Sequence, residues 1–260
     1  MAIDPTARVA EGARIGASVE IGPYCLVGPQ VELRSGVRLI GHVNVTGATT
    51  IGEGTIIYPF GSLGTPPQSV HYRGGETKLM VGAACELREG VTMNTGTEDG
   101  GGVTRVGDRC SFMVGSHVGH DCTIGNDVTF ANNVVLGGHV AIHQFVRIGE
   151  GAMMAGMSAA RDDIIPFGFA LGQTGALVGL NVVGLRRRGA TRADMHRLRR
   201  AYRLMFFTEG RLAERIETLA REFADDPLVG RIVAFARAGA KRPLMRPRAR
   251  GDAAGGDPED

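Results

Sequence analysis

An apolar residue returns every six positions from Ile3 through Val9, Ile15, Ile21, Val27, Leu33, Leu39, Val45, Ile51 and Ile57 to Leu63. A half-buried strand repeats every two residues and an amphipathic helix every 3.6, so a period of six belongs to neither. It is the mark of a β-helix, in which each hexad supplies one short strand and one corner. With three hexads to a triangular turn, positions eighteen apart stack at about the 4.8 Å spacing of neighbouring strands. Glycine commonly follows the apolar residue, at Gly16, Gly22, Gly28 and Gly52, as a tight corner requires. With 40 glycines, no tryptophan and 5% aromatic residues, the composition suits a repetitive stack better than a globular core.

The register breaks at Thr65-Pro66-Pro67 and resumes at Val81, which predicts a loop near 65–78. A second loop is expected near 98–105, around Glu98-Asp99-Gly100-Gly101-Gly102, before hexads continue from Val106 to Met154. Long ordered loops on a rigid scaffold are where binding commonly occurs. From Thr191 the apolar spacing becomes helical: Met195, Leu198, Tyr202 and Met205, then Leu212, Ile216, Leu219 and Phe223, then Leu228, Ile232 and Phe235. The expected organisation is an all-β parallel β-helix over 1–189, a small α-helical domain over 190–238, and a disordered tail over 239–260, where little is left to bury.

Cys25, Cys85, Cys110 and Cys122 all fall at the fifth hexad position, shared with Ala7, Ala13, Val19, Val31, Thr49 and Val128. They read as small buried hydrophobes, not as a disulfide framework or a zinc knuckle. Charge is nearly balanced, at 29 basic against 27 acidic residues, and no apolar run is long enough to span a membrane. No secretory leader opens the chain, so a cytoplasmic location is expected. Eight arginines and one acid lie between Arg186 and Arg203. A solvated helix face accounts for them, and so does an acidic partner: a substrate phosphate at the first three, an acidic carrier protein at the helical ones. Nucleic acid is disfavoured, since no stacking aromatics are interleaved.

The chemistry concentrates between Val118 and Gly138. His120-Asp121 could act as general base and orienting carboxylate, provided the pair sits at a corner, because neighbours on a strand point to opposite faces. Eighteen residues on, Gly138 offers a backbone N–H that could stabilise an oxyanion, beside His139. Two alternatives remain open on the residues alone: polar decoration of an outward corner, and a metal held by imidazoles from His117, His120, His139 and His143, as in gamma-class carbonic anhydrases.

Gly119-His120-Asp121-Cys122-Thr123-Ile124-Gly125-Asn126, Ala131-Asn132-Asn133, Gly138-His139-Val140, His143-Gln144-Phe145 and Gly179-Leu180-Asn181 leading to Arg186-Arg187-Arg188-Gly189 resemble the acyl-carrier-protein–UDP-N-acetylglucosamine O-acyltransferases, which begin lipid A synthesis. The resemblance runs from about Ile3 to Tyr202. It implies a homotrimer of left-handed β-helices with active sites between subunits, and transfer of a 3-hydroxyacyl chain from acyl carrier protein to the 3-hydroxyl of UDP-N-acetylglucosamine. The acyl group arrives on the carrier's phosphopantetheine arm, so no further cofactor and no metal are implied. His120 would be the base, Asp121 its orienter and the Gly138 amide the oxyanion donor. Gln68, His71, His117, His139, His143, Gln144, Asn181, Arg187 and Arg188 match substrate-contacting positions, and Gly156 a position that leaves room for a longer acyl chain.

The chain departs from the family in three places. Ser69-Val70-His71-Tyr72 stands where the family carries Asp-Leu-Lys-Tyr, and Val183 stands where it carries Glu. Between His139 and His143 it is two hexads short. Continuing the hexad count, everything after Val140 is expected one face early, with His143, Gln144 and Gly156 on a neighbouring side of the prism and transfer weak or altered. A degenerate paralogue with little activity is the corresponding alternative.

Overall fold

The computed structural model describes residues 2–132, 135–136, 145–172, 175–239 and 241–247. Two-residue strands recur at the hexad spacing and pair in parallel with partners eighteen residues away, as in Ile3 with Ile21 and Val9 with Val27. The result is a left-handed parallel β-helix with three faces. Among the described residues the first face is a ten-stranded sheet beginning at Ala2–Ile3, and the second and third are seven-stranded sheets beginning at Arg8–Val9 and Arg14–Ile15.

From Ile21 onward the hexads bury their apolar residue and turn at the next three. The fourth position takes a left-handed backbone, at Ser18, His42 and Asp121 as well as at Gly36 and Gly115. Where glycine stands at the second position the reason is different. A Cβ on Gly22 would fall 2.1 Å from the Ile40 carbonyl oxygen of the next turn. Leu33, Leu39, Ile51, Ile57, Leu63 and Leu87 fill the interior, and Phe112 and Phe130 stack on successive turns with centroids 4.6 Å apart. All four cysteines are buried and unpaired, at the small-residue position expected of them. Burial pushes the Cys122 thiol up to about 12.

Among the described residues the coil departs from the regular pitch by a longer connection three times, each at the edge between the second and third faces. Thr65 and Lys78, Asn94 and Val103, and Leu136 and Arg147 are the flanking strand ends. The third departure corrects the expected phase. Ile148 lies on the third face, paired in register beside Ile124, so Leu136 and Ile148 occupy successive faces although twelve residues separate them. Phe145 (φ 72°) holds the corner conformation of Asp121 (φ 62°). From Phe145 onward the chain is therefore not one face early: Arg147–Ile148 lies on the third face and Met153–Met154 follows on the first, in the regular order.

Gly168–Leu171 and Ala176–Leu180 close the coil as an antiparallel hairpin. A short helix, α1 (Val182–Arg187), follows within the span expected to be coil, capped by Asn181. Helices α2 (Arg192–Phe207), α3 (Leu212–Glu222) and α4 (Pro227–Arg237) pack through Met195, Leu198, Met205, Ile216, Leu219, Val229 and Ile232. Thr191 and Asp194 form the capping box that starts α2. Beyond them the chain does find something to bury. Met245 is 2% exposed, its N–H bonds to the Asp163 carbonyl at 2.8 Å, and the Asp163 N–H bonds to Pro243 at 2.9 Å.

Candidate active site

His120 and Asp121 occupy the third and fourth positions of their hexad, on the edge that carries all three irregular connections. The left-handed backbone at Asp121 swings its carboxylate beside the preceding ring, which a straight strand would forbid. His120 Nδ1 is 2.7 Å from Asp121 Oδ2, with both side chains buried. The Asp121 N–H donates to the Thr104 hydroxyl at 2.8 Å, fixing the corner from below. Burial raises the Asp121 carboxyl, but hydrogen bonds from His120 and from the side chain and backbone of Thr97 outweigh it and hold the group below the ordinary carboxylate range. Asp121 is thus a buried anion that orients the ring. The other ring nitrogen, His120 Nε2, is buried with no partner among the described residues. A buried acceptor in that condition is costly unless a donor arrives to meet it.

His117 stands on the strand leading to this corner, its Nδ1 2.7 Å from the Thr92 hydroxyl of the turn below. On that lower turn, Asn94 donates to Thr65 Oγ1 at 2.9 Å and to the Pro66 carbonyl at 3.0 Å, anchoring the start of the first loop. Glu98 anchors its far end by accepting the Gly75 N–H at 2.7 Å and the Arg73 N–H at 3.3 Å. Gln68 and His71 are exposed on the loop so held, on the same edge as His120. A groove of about 790 Å³ runs along that edge beneath the loop, with Arg14, Gln30, Thr46, Glu76, Lys78 and Thr95 in its wall.

The remaining expected residues lie elsewhere. Gly156 is on the edge between the first and second faces, where the Met157 N–H bonds to the Asn132 carbonyl. Asn181 and Arg188 are on the edge between the third and first faces, both bonded to the Gly151 carbonyl, at 3.0 and 3.3 Å. The Asn181 amide is committed to structure, since its oxygen also caps α1 through the Gly184 N–H. Burial lowers the Arg188 guanidinium, which reaches toward the Phe167 ring, and Arg187 is exposed. Gly138, His139, His143 and Gln144 lie outside the described residues. So does half of the imidazole set considered for a metal; among the described residues no three His, Cys, Asp or Glu side chains are grouped to hold one. Thr97, Glu98, Thr92 and Asn94 went unrecognised in the sequence. The only local signal was Thr97 preceding Glu98-Asp99-Gly100, the pattern of a capped turn.

A parallel coil of hexads ending in a helical domain, with a buried His-Asp pair on one edge, defines the hexapeptide-repeat acyltransferases. Residues 104–138 match the bacterial transferase hexapeptide model (six repeats), and residues 163–245 match domain 2 of UDP-N-acetylglucosamine O-acyltransferase. An acyl-[acyl-carrier-protein]–UDP-N-acetylglucosamine O-acyltransferase of Azorhizobium caulinodans is 54% identical, the match covering 94% of this chain and 95% of the relative. That of Rhizobium johnstonii is 48% identical, covering 94% of each. Among solved structures, LpxA from Acinetobacter baumannii superposes with a TM-score of 0.81 at 32% identity, covering 94% of this chain and 99% of that one. A UDP-N-acetylglucosamine acyltransferase superposes at 0.78 with 35% identity, covering 96% and 100%. The chain belongs to the acyl-[acyl-carrier-protein]–UDP-N-acetylglucosamine O-acyltransferase family, and it is an acyltransferase of lipid A biosynthesis.

Proposed function

We propose that the chain transfers a 3-hydroxyacyl group from acyl carrier protein to the 3-hydroxyl of UDP-N-acetylglucosamine, with His120 as general base. The observation that carries this assignment is the buried ring whose Nδ1 is held by an anionic Asp121 while Nε2 has no partner among the described residues. With its proton kept on Nδ1, the neutral ring presents a lone pair at Nε2. The sugar hydroxyl loses its proton to Nε2 as its oxygen attacks the thioester carbonyl. The tetrahedral oxyanion is met by the Gly138 N–H, and collapse breaks the C–S bond, the thiolate of the phosphopantetheine arm taking the proton back from Nε2. The balance is complete with the two substrates, so no metal and no further cofactor enter.

We infer the partners from the placement of these residues. Gln68, His71, His117 and His120 share one edge, Asn181 and Arg188 another, and Gly156 the third, so one copy does not bring them into one pocket. This supports a homotrimer in which edges of neighbouring copies meet, and His139, His143, Gln144 and Arg187 are proposed as further substrate contacts. Arg192, Arg199 and Arg203 are exposed on α2 with no ion-pair partner among the described residues and suit an acidic carrier protein. A cytoplasmic location accords with both substrates, and no described helix is long and apolar enough to cross a membrane.

The direct test is transfer from 3-hydroxyacyl carrier proteins of several lengths to UDP-N-acetylglucosamine, with the 3-amino analogue alongside because Ser69, His71 and Val183 depart from the family pattern. Product at the 3-position is expected. No transfer to either acceptor at any length would overturn the assignment.

A further inference from the structure

The Asp121 carboxylate receives two hydrogen bonds from a residue outside the His-Asp pair. The Thr97 N–H donates to Oδ1 at 2.9 Å, and the Thr97 hydroxyl donates to Oδ2 at 2.6 Å. Oδ2 is also the oxygen that His120 Nδ1 approaches at 2.7 Å. The direction of the hydroxyl is settled by its other contact. It accepts the Gly100 N–H at 3.0 Å, capping the short turn Glu98–Gly100, and so its own hydrogen is left for the carboxylate. That turn is pressed against Asp121: a Cβ on Gly100 would fall 2.0 Å from the carboxyl carbon. Thr97, His120 and Asp121 are all at least nine-tenths buried, so water does not substitute for a missing donor without entering the core of the corner.

We propose that Thr97 is a positioning residue for the transfer reaction, holding Asp121 in the orientation that keeps the His120 proton on Nδ1 and leaves Nε2 free as the base. This rests on the assignment of His120 as the base. The backbone N–H fixes one carboxylate oxygen whatever residue stands at 97, whereas the hydroxyl shares the second oxygen with the imidazole. Removing it leaves the charge on Oδ2 answered by the ring alone. The carboxylate then stabilises the imidazolium more strongly, less of the neutral base is present at a given pH, and the ring loses one constraint on its plane. Small displacements at a reacting atom are expensive in rate, which is how a residue that never touches substrate affects turnover.

The experiment compares the full-length chain with Thr97→Val and Thr97→Ser, measuring kcat, KM for both substrates, the pH profile of kcat/KM and the melting temperature. Histidine-ring ¹⁵N shifts are recorded on the substrate-free protein, with the His120 signals assigned by their loss in His120→Gln. The valine variant is expected to lose roughly tenfold in kcat, part of the about 10²–10⁴ that a positioned base supplies. Its KM for the nucleotide sugar should stay within about twofold, its acid limb should move to higher pH, and its ring shifts should move toward the imidazolium. The serine variant should restore all of these. Wild-type kcat and acid limb in Thr97→Val would overturn the proposal, as would equal impairment in both variants, which points to lost packing. Reduced activity with unchanged acid limb and ring shifts would do the same. If Thr97→Val does not fold, Thr97→Ala removes the same hydroxyl without the branched bulk and takes its place. If the parent chain transfers nothing, the base assignment fails separately, and the ring shifts alone then decide whether Thr97 governs the His120 proton.

Discussion

Ile148 lies beside Ile124 on the third face of the coil, twenty-four residues further along the chain. A regular turn takes eighteen, so this connection holds one hexad more than the pitch requires, at the edge where His120 sits. Two added hexads would make the connection from Leu136 to Ile148 one full turn plus one face, with nothing left over.

Inserting two hexads of matching pattern between Val140 and Ile142 should therefore leave Ile148 on its present face and lift Gly156 by one rung, about 4.8 Å. If Gly156 borders the acyl chain, the parent should prefer shorter acyl groups and the inserted variant longer ones. Transfer rates over a series of acyl lengths decide this, and an unchanged preference removes Gly156 from that role.

Replacing the base should stop the chemistry without unfolding the coil, because His120, though buried at its corner, is not part of the apolar interior. His120→Ala is expected to lose about 10²–10⁴ in kcat with its oligomeric state unchanged. Asp121→Asn should differ, since it also affects stability. The folded Asp121 carboxyl is held below its usual value, so its stabilising contribution is complete above the unfolded carboxylate pKa, about 3.9, and is lost as pH falls through the lower folded value. Urea unfolding should show the variant less stable than the parent at pH 7, the two converging below about pH 4.

Arg147 and Asp163 join the coil to the helical domain. The guanidinium bonds the buried carboxylate at 2.7 Å and the Phe235 carbonyl of α4 at 3.2 Å, with the Phe235 ring 4.3 Å away. Burial pushes the Asp163 carboxyl up against the pull of Arg147. Arg147→Ala strands that charge and should cost about 3–5 kcal/mol, whereas Asp163→Asn, which removes it, should cost less. Thermal unfolding of the two variants gives the order.

Among the arginines of α2, some have partners and others have none among the described residues. Arg197 is bonded to Asp226, and Arg200 is bonded to Glu222 and lies over the Phe223 ring, so reversing Arg200 also disturbs packing. Arg199→Glu with Arg203→Glu is the cleaner test. KM for acyl carrier protein should rise and KM for the nucleotide sugar should not, with the defect shrinking at high salt as screening replaces steering. A change confined to the sugar would place carrier docking elsewhere.

The sequence alone determined the coil, because a six-residue period with one small and one tightly constrained corner position has few other solutions. It determined the buried cysteines and the three main helices for the same reason: periodicity reports burial residue by residue. It pointed to His120 and Asp121 through their place in a hexad. What it could not contain was how the chain resolves a count that does not fit. Leu136, Ile142 and Ile148 read as three equivalent hexads, yet Ile148 takes the face next to Leu136, because strand pairing with Thr123–Ile124 and burial of the later apolar residues outweigh an uninterrupted period. Nor does spacing show that Thr97 reaches Asp121, twenty-four residues away, or that Asn181 spends its amide on Gly151 and Gly184. Those contacts join irregular segments, whose positions are set by hydrogen bonds made across turns, and only the folded coil brings the partners together.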